Sequence, residues 1–147
     1  MRRQFFGVLA PMALMLAIAA PAAPAAAKRR VHFVDAAVGA QITATQAVFK
    51  VRDSVFGVGA GIQTVKLNGS RGTDTTTTYY GNASATSKDA FTIGTPDANG
   101  NAKITGSGHD VAGTGRARGL KSSYTFAGTF NTKSLVYRVT LKGTYTF

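Results

Sequence analysis

The stretch "YRVTLKGTYTF", residues 137–147, decides the fold. Its odd positions are Tyr137, Val139, Leu141, Gly143, Tyr145 and Phe147. Its even positions are Arg138, Thr140, Lys142, Thr144 and Thr146. Successive side chains of a strand point to opposite faces, so the pattern predicts a half-buried antiparallel strand with one apolar and one polar face. Just upstream, Tyr124, Phe126, Gly128 and Phe130 share a face in the same way. Asn131-Thr132-Lys133-Ser134 separates the two runs, and the pair reads as a β-hairpin.

Further upstream the rhythm recurs more weakly. Strands are predicted over 42–52, 55–67, 73–80, 83–93 and 102–108. Asn68-Gly69, Gly81-Asn82 and Pro96-Asp97-Ala98-Asn99-Gly100 are turn signals between them, because Asn and Gly tolerate positive φ. Thr75 to Thr78, flanked by Tyr79 and Tyr80, reads as strand. Gly57, Gly59 and Gly61 alternate on one face, which in a barrel permits a sharp bend or a close approach. After residue 27 nothing sustains apolar residues at helical spacing over three turns. The fold predicted is all-β: an antiparallel barrel of about eight strands, with a β-sandwich as the alternative.

The first 27 residues read differently. Arg2 and Arg3 precede an apolar run from Phe5 to Ala20, and a Pro/Ala tail ends at Ala25-Ala26-Ala27. This is the pattern of a helical, cleaved signal peptide of bacterial type. The run is short for a membrane span, which needs about 20 residues. The expected organisation is a signal peptide at 1–27, a lead-in at 28–40 and a single barrel domain at 41–147. The product is expected to be secreted or periplasmic. It contains no Cys, so no disulfide staples it.

Removing Arg2 and Arg3 from 17 basic residues leaves 15 against 6 acids, a net charge of +9. All six acids are Asp. Such a domain attracts polyanions, and outside the cytoplasm these are anionic cell-envelope polymers or lipid headgroups. No specific nucleic-acid partner is implied.

"GTGRARGLKS", residues 113–122, has the look of a phosphate loop. A P-loop has four residues between its glycines and then Lys; here five residues separate Gly113 from Gly119, and Leu120 precedes Lys121. The dinucleotide fingerprint also fails by one residue. Both motifs open a helix, whereas this segment runs into Tyr124-Thr125-Phe126. It reads as a turn between strands, with no nucleotide bound. Arg116, Arg118 and Lys121 remain candidates for an anion site at a barrel rim, Arg116 and Arg118 sharing a face if the segment is extended.

Catalytic groups are sparse. His32 lies near the mature N-terminus and reads as a flexible residue. His109 adjoins Asp110, but neighbours in a strand point apart, so Asp110 does not orient it. No Ser stands in a G-x-S-x-G elbow. Two His and scattered Asp make no recognisable metal set, and no cofactor is implied.

"GTGRARG" running into "YTFAGTF" resembles the Gly-Thr-Gly-Arg-x-x-Gly turn of the allene oxide cyclase-like and dirigent-like barrels, of calycin type. The resemblance spans about residues 45–130 and is specific over about seven. It implies an eight-stranded barrel that binds an apolar small molecule. In the cyclases the chemistry looks to a Glu and a Cys, and this chain has neither. In the dirigent proteins the pocket is associated with aspartates and arginines, and Asp53, Asp74 and Asp110 have no assigned correspondence to these.

The function expected is non-catalytic binding of a small apolar or polyanionic ligand by an exported barrel. Phe126, Tyr137, Val139 and Tyr145 are the expected lining, with Arg116, Arg118 and Lys121 as the basic contribution. A small outer-membrane barrel is one alternative, because the chain ends in an aromatic strand. That reading places the apolar face outward, and the soluble reading places it inward. A dirigent- or cyclase-like enzyme is another. It requires an acid and an arginine converging in a cavity.

Overall fold

The computed structural model describes residues 28–147, so the segment read as a signal peptide lies outside the described residues. Eight strands follow one another: β1 (Arg30–Thr43), β2 (Gln46–Asp53), β3 (Gly57–Asn68), β4 (Arg71–Tyr80), β5 (Ala83–Ile93), β6 (Asn101–Thr114), β7 (Lys121–Asn131) and β8 (Val136–Thr146). Each pairs with the next, and β8 returns to β1, closing an antiparallel barrel. A closed barrel leaves no unpaired strand edge.

The turns fall at the expected Gly and Asn positions. Asn68-Gly69 and Gly81-Asn82 join strands, with Gly69 and Gly81 at φ +60° and +47°. The 28–40 segment, expected as a lead-in, is most of β1. Its inward positions are Phe33, Asp35, Ala37 and Gly39, a mixture of aromatic, charged and small residues that hides the alternation. The strand expected over 42–52 in fact straddles the β1–β2 turn at Ala44-Thr45. β6 runs on to Thr114, beyond the expected Gly108.

The inward face is built from rings laid over glycines. Phe49, Phe91, Phe126 and Tyr137 stand directly across from Gly61, Gly72, Gly106 and Gly39 on the neighbouring strand. In each pair the ring occupies the space a Cβ of the glycine would fill. Small barrels fit bulky rings by pairing large residues with small ones. The inward glycine at position 59 is therefore a seat for Tyr80.

The two ends differ. At the first lie the start of β1, the end of β8, the β2–β3 turn and a 3₁₀ turn at Gly115–Ala117. Aromatic residues close this end. Phe33 stacks on Tyr145 with ring centroids 4.1 Å apart, and Phe56 packs on Tyr80 at 5.3 Å and on Tyr145 at 5.6 Å. Ala117 and Leu120 are buried beside them. At the other end Leu67 lines the interior and is still 48% exposed. That end is the mouth.

Charge is sorted by the wall. All 15 Lys and Arg between 28 and 147 are exposed. Asp35, Asp53, Asp74 and Asp89 are buried, and Asp110 is inward and half-buried; Asp97 alone among the acids is exposed.

Candidate functional site

The interior leaves a cavity of about 140 Å³. Its wall is aromatic and aliphatic on β7 and β8, where Tyr124, Phe126, Tyr137, Val139 and Leu141 are only half-buried because they face open space. A small eight-stranded barrel is either filled by side chains or holds one small ligand. This one is filled at its closed end and open toward its mouth.

The acids divide into two groups. At the closed end Asp53 is a structural acceptor. Its Oδ1 receives the backbone N–H groups of Val55 (2.7 Å) and Phe56 (2.8 Å), which shapes the β2–β3 turn. Its Oδ2 receives the hydroxyls of Tyr80 (3.1 Å) and Tyr145 (2.7 Å), which ties the aromatic plug in place. Asp35 receives the N–H and hydroxyl of Ser54 at 2.8 and 3.1 Å. Burial pushes its carboxyl up to about 6, although the Ser54 N–H works in the opposite direction.

The second group sits in the cavity wall between plug and mouth. Asp74 on β4 and Asp89 on β5 are direct cross-strand partners. Asp89 Oδ1 accepts the Tyr124 hydroxyl at 2.6 Å, and its Oδ2 accepts that of Ser87 at 3.2 Å. Asp74 Oδ1 accepts the Thr76 hydroxyl at 2.7 Å. Burial, and then the charge of Asp74 beside it, push Asp89 up to about 8. Two carboxylates side by side away from water cannot both ionise cheaply. Burial likewise raises Asp110 above the usual carboxylate range. Tyr80, Tyr124, Tyr137 and Tyr145 are all pushed above the ordinary phenol range, first by burial and then by the carboxylates. They are therefore neutral hydrogen-bonding groups.

The expected site residues fall in two separate places. Phe126 and Tyr137 line the cavity, the Tyr137 hydroxyl donating to Gln63 Oε1. Tyr145 also faces inward, within the plug. Arg116, Arg118 and Lys121 are exposed on the outside of the closed end, with the Arg116 guanidinium 5.9 Å from the centre of the Phe56 ring. They do not converge with the cavity lining. Arg116 and Arg118 do not alternate as in extended chain either, because Gly115 (φ +54°) opens a 3₁₀ turn and Gly119 (φ +76°) ends the loop. The glycine-rich stretch is a turn joining β6 to β7.

His109 points out and Asp110 in, as neighbours in a strand must. His32 is a fixed member of β1 rather than a flexible end, its Nδ1 lying 3.2 Å from Thr144 Oγ1. Among the described residues no group of three or more His, Asp or similar ligands is placed to hold a metal ion. No arginine among them lines the cavity.

The inward acids escaped the sequence reading, yet a signal was present. Asp35 is in phase with Phe33 and Ala37, Asp53 with Phe49 and Val51, and Asp89 with Ala85 and Phe91. An acid in the phase of the apolar face is an inward acid.

No protein family, curated protein or solved structure matches this chain.

Proposed function

We propose that the protein is an exported β-barrel that holds one small, largely apolar ligand inside the barrel and does no chemistry on it. The observation that carries this is the aromatic-walled cavity of about 140 Å³ inside the barrel. Its size sets the ligand. An engineered apolar cavity of about 150 Å³ takes a benzene, so this one suits a single ring or a short chain.

The placement of charge refines the reading. The inward face carries five aspartates and none of the cations of residues 28–147, so an anion finds no opposite charge in the interior. A polyanionic partner, such as a cell-envelope polymer, belongs on the outer surface, where Arg116, Arg118 and Lys121 stand. The outer-membrane alternative draws little support. Its lipid-facing band has to be apolar, whereas the outward positions of β4 to β8 are mostly Thr, Ser, Lys and Arg. The aromatic faces of β7 and β8 point inward, as the soluble reading requires. The enzyme alternative needs an acid and an arginine converging in the cavity, and the arginines are outside.

Native mass spectrometry of the protein recovered from its own host without detergent tests the proposal. A bound species the size of one ring or short chain is expected, released on unfolding. A bare mass that stays bare after incubation with single-ring compounds overturns it. Recovery only from membranes overturns the soluble placement.

A further inference from the structure

We propose that the cavity selects a ligand carrying a protonated amine on its apolar ring or chain, with the ammonium group seated at Asp74 and Asp89. This rests on the interior-binding reading above and names the class of ligand.

The argument begins with which acids have acceptor capacity left. An ionised carboxylate offers about four lone-pair sites. Asp53 uses them on two backbone amides and two tyrosine hydroxyls. Asp35 is held by Ser54. Asp74 is 8% exposed and lines the cavity, where one oxygen accepts the Thr76 hydroxyl and the carboxyl shares a hydrogen bond with that of Asp89. Its cross-strand partner is a second carboxyl, Asp89, at 9% exposure. Among the described residues no Lys, Arg or His lines the cavity to balance them. Buried charge is ordinarily paired, and here the 15 Lys and Arg of residues 28–147 all face away from the cavity. An ammonium group supplies the missing charge and three donors. The half-buried rings of Tyr124, Phe126 and Tyr137 receive the apolar part.

Binding then moves a proton. Asp89 is raised to about 8, so it keeps its proton at neutral pH. The titratable groups that face it are Asp74 on β4 and Tyr124 and Tyr137 on β7 and β8, with Asp110 on β6 acting on Tyr124. Lys88 on its own strand, and Lys66, His109 and Lys142 on others, are exposed on the outer surface. A cation beside Asp89 favours its ionised form. The proton leaves to solvent as the ammonium arrives, and amine affinity rises between pH 6 and pH 8.5.

The test is calorimetric titration of the purified protein with benzylamine and with benzyl alcohol, its uncharged counterpart of the same shape. At pH 7.5 benzylamine is expected to bind about ten-fold more tightly or better, the scale of one charge-assisted hydrogen bond. It should release close to one proton at pH 6.5, with the release shrinking as pH rises past 8 once the proton taken up by the neutral fraction of the amine is accounted for, read from buffers of different ionisation enthalpy. Asp74→Asn is expected to reduce the amine-over-alcohol preference, and Asp74→Asn combined with Asp89→Asn to remove it. If the alcohol binds as well as the amine and no proton is released, the amine assignment is overturned while interior binding stands. If neither binds, both readings fail. Should Asp74→Asn not fold, the proton count and pH series on the unaltered protein decide alone.

Discussion

Replacing Asp53 with Ala should destabilise the barrel by about 3–5 kcal/mol, and with Asn by only about 1–2 kcal/mol. The two backbone amides that Asp53 receives belong to Val55 and Phe56, which are half-buried and have access to water once the carboxylate is gone. The two hydroxyls belong to Tyr80 and Tyr145, at 8% and 6% exposure, and have no such recourse. Each buried hydroxyl left without its acceptor costs about 1–3 kcal/mol, and loss of the charged bonds to the turn adds to this. Asn keeps an acceptor for the turn amides, and its own amide donates to a tyrosine oxygen instead. Total stability for a domain of this size is about 5–15 kcal/mol, so the Ala variant loses a large share. Urea unfolding followed by far-ultraviolet circular dichroism measures both variants, with an unchanged m-value as the check on two-state behaviour. Tyr145→Phe should cost less in the Asp53→Ala background than alone, since its hydroxyl has already lost its partner. A loss below about 1 kcal/mol for Ala, or equal losses for Ala and Asn, would refute the network argument.

Three further outcomes follow from the same structure. Gly61→Ala should cost about 2–3 kcal/mol, because the new Cβ meets both the Phe49 ring and the Thr77 carbonyl, and the carbonyl belongs to the sheet backbone. Gly119→Ala, with open space but φ +76°, should cost about 1 kcal/mol; a Gly61 variant within 0.5 kcal/mol of the parent (about the scatter of surface substitutions) would break the ring-over-glycine account. Burial makes Asp35 and Asp89 hold their protons more tightly than a free carboxyl at 3.8, up to about 6 and about 8. Their contribution is present in full below about pH 4 and is lost as pH rises through those folded values. Stability should therefore fall from pH 5 to pH 8.5, and Asp89→Asn should flatten the upper part of that slope; a denaturation midpoint that climbs with pH contradicts it. Arg116, Arg118 and Lys121 changed together to Ser should elute from an immobilised polyanion at lower salt, with benzyl alcohol binding untouched, because they stand outside the plug. Unchanged elution would remove them as a polyanion contact.

The fold was legible because most strands carry their turn chemistry with them. The Gly-Asn and Asn-Gly turns and the alternation of 137–147 define β8, β7, β5 and β4 nearly to the residue. β1 was illegible for a physical reason. Its inward face alternates Phe33 with Asp35 and Ala37 with Gly39, because that face supplies the plug, an anchor for Ser54 and a seat for Tyr137. Closure was equally hidden, since the β1–β8 pairing joins the two ends of the described chain, from Arg30 with Thr146 to Ala40 with Val136. Of the candidate site, the aromatic wall could be read from periodicity, and so could the inward phase of Asp35, Asp53 and Asp89, but the meeting of Asp74 with Asp89 could not. The reading looked for converging catalytic groups along the chain, whereas Asp74 and Asp89 meet through strand register across a hairpin.

The division of charge gives the interior and the surface opposite responses to salt. The outward cations lie on the other face of the sheet from the cavity, and the Debye length is about 8 Å at physiological ionic strength. Together they repel an approaching amine, and added salt screens that repulsion. An ammonium seated at Asp74 and Asp89 is within contact distance of its carboxylates and shielded from water by the barrel wall, so salt weakens that attraction far less. Between about 20 and 300 mM salt, the range over which the Debye length falls from about 20 to about 6 Å, affinity for benzylamine should hold steady or rise. Over the same range a polyanion held on the outer face should be lost by orders of magnitude, since its binding is driven by release of counterions. Titration of both partners across that series separates the two sites without any mutation. A steep loss of benzylamine affinity with salt would place the amine on the surface and remove it from the barrel interior.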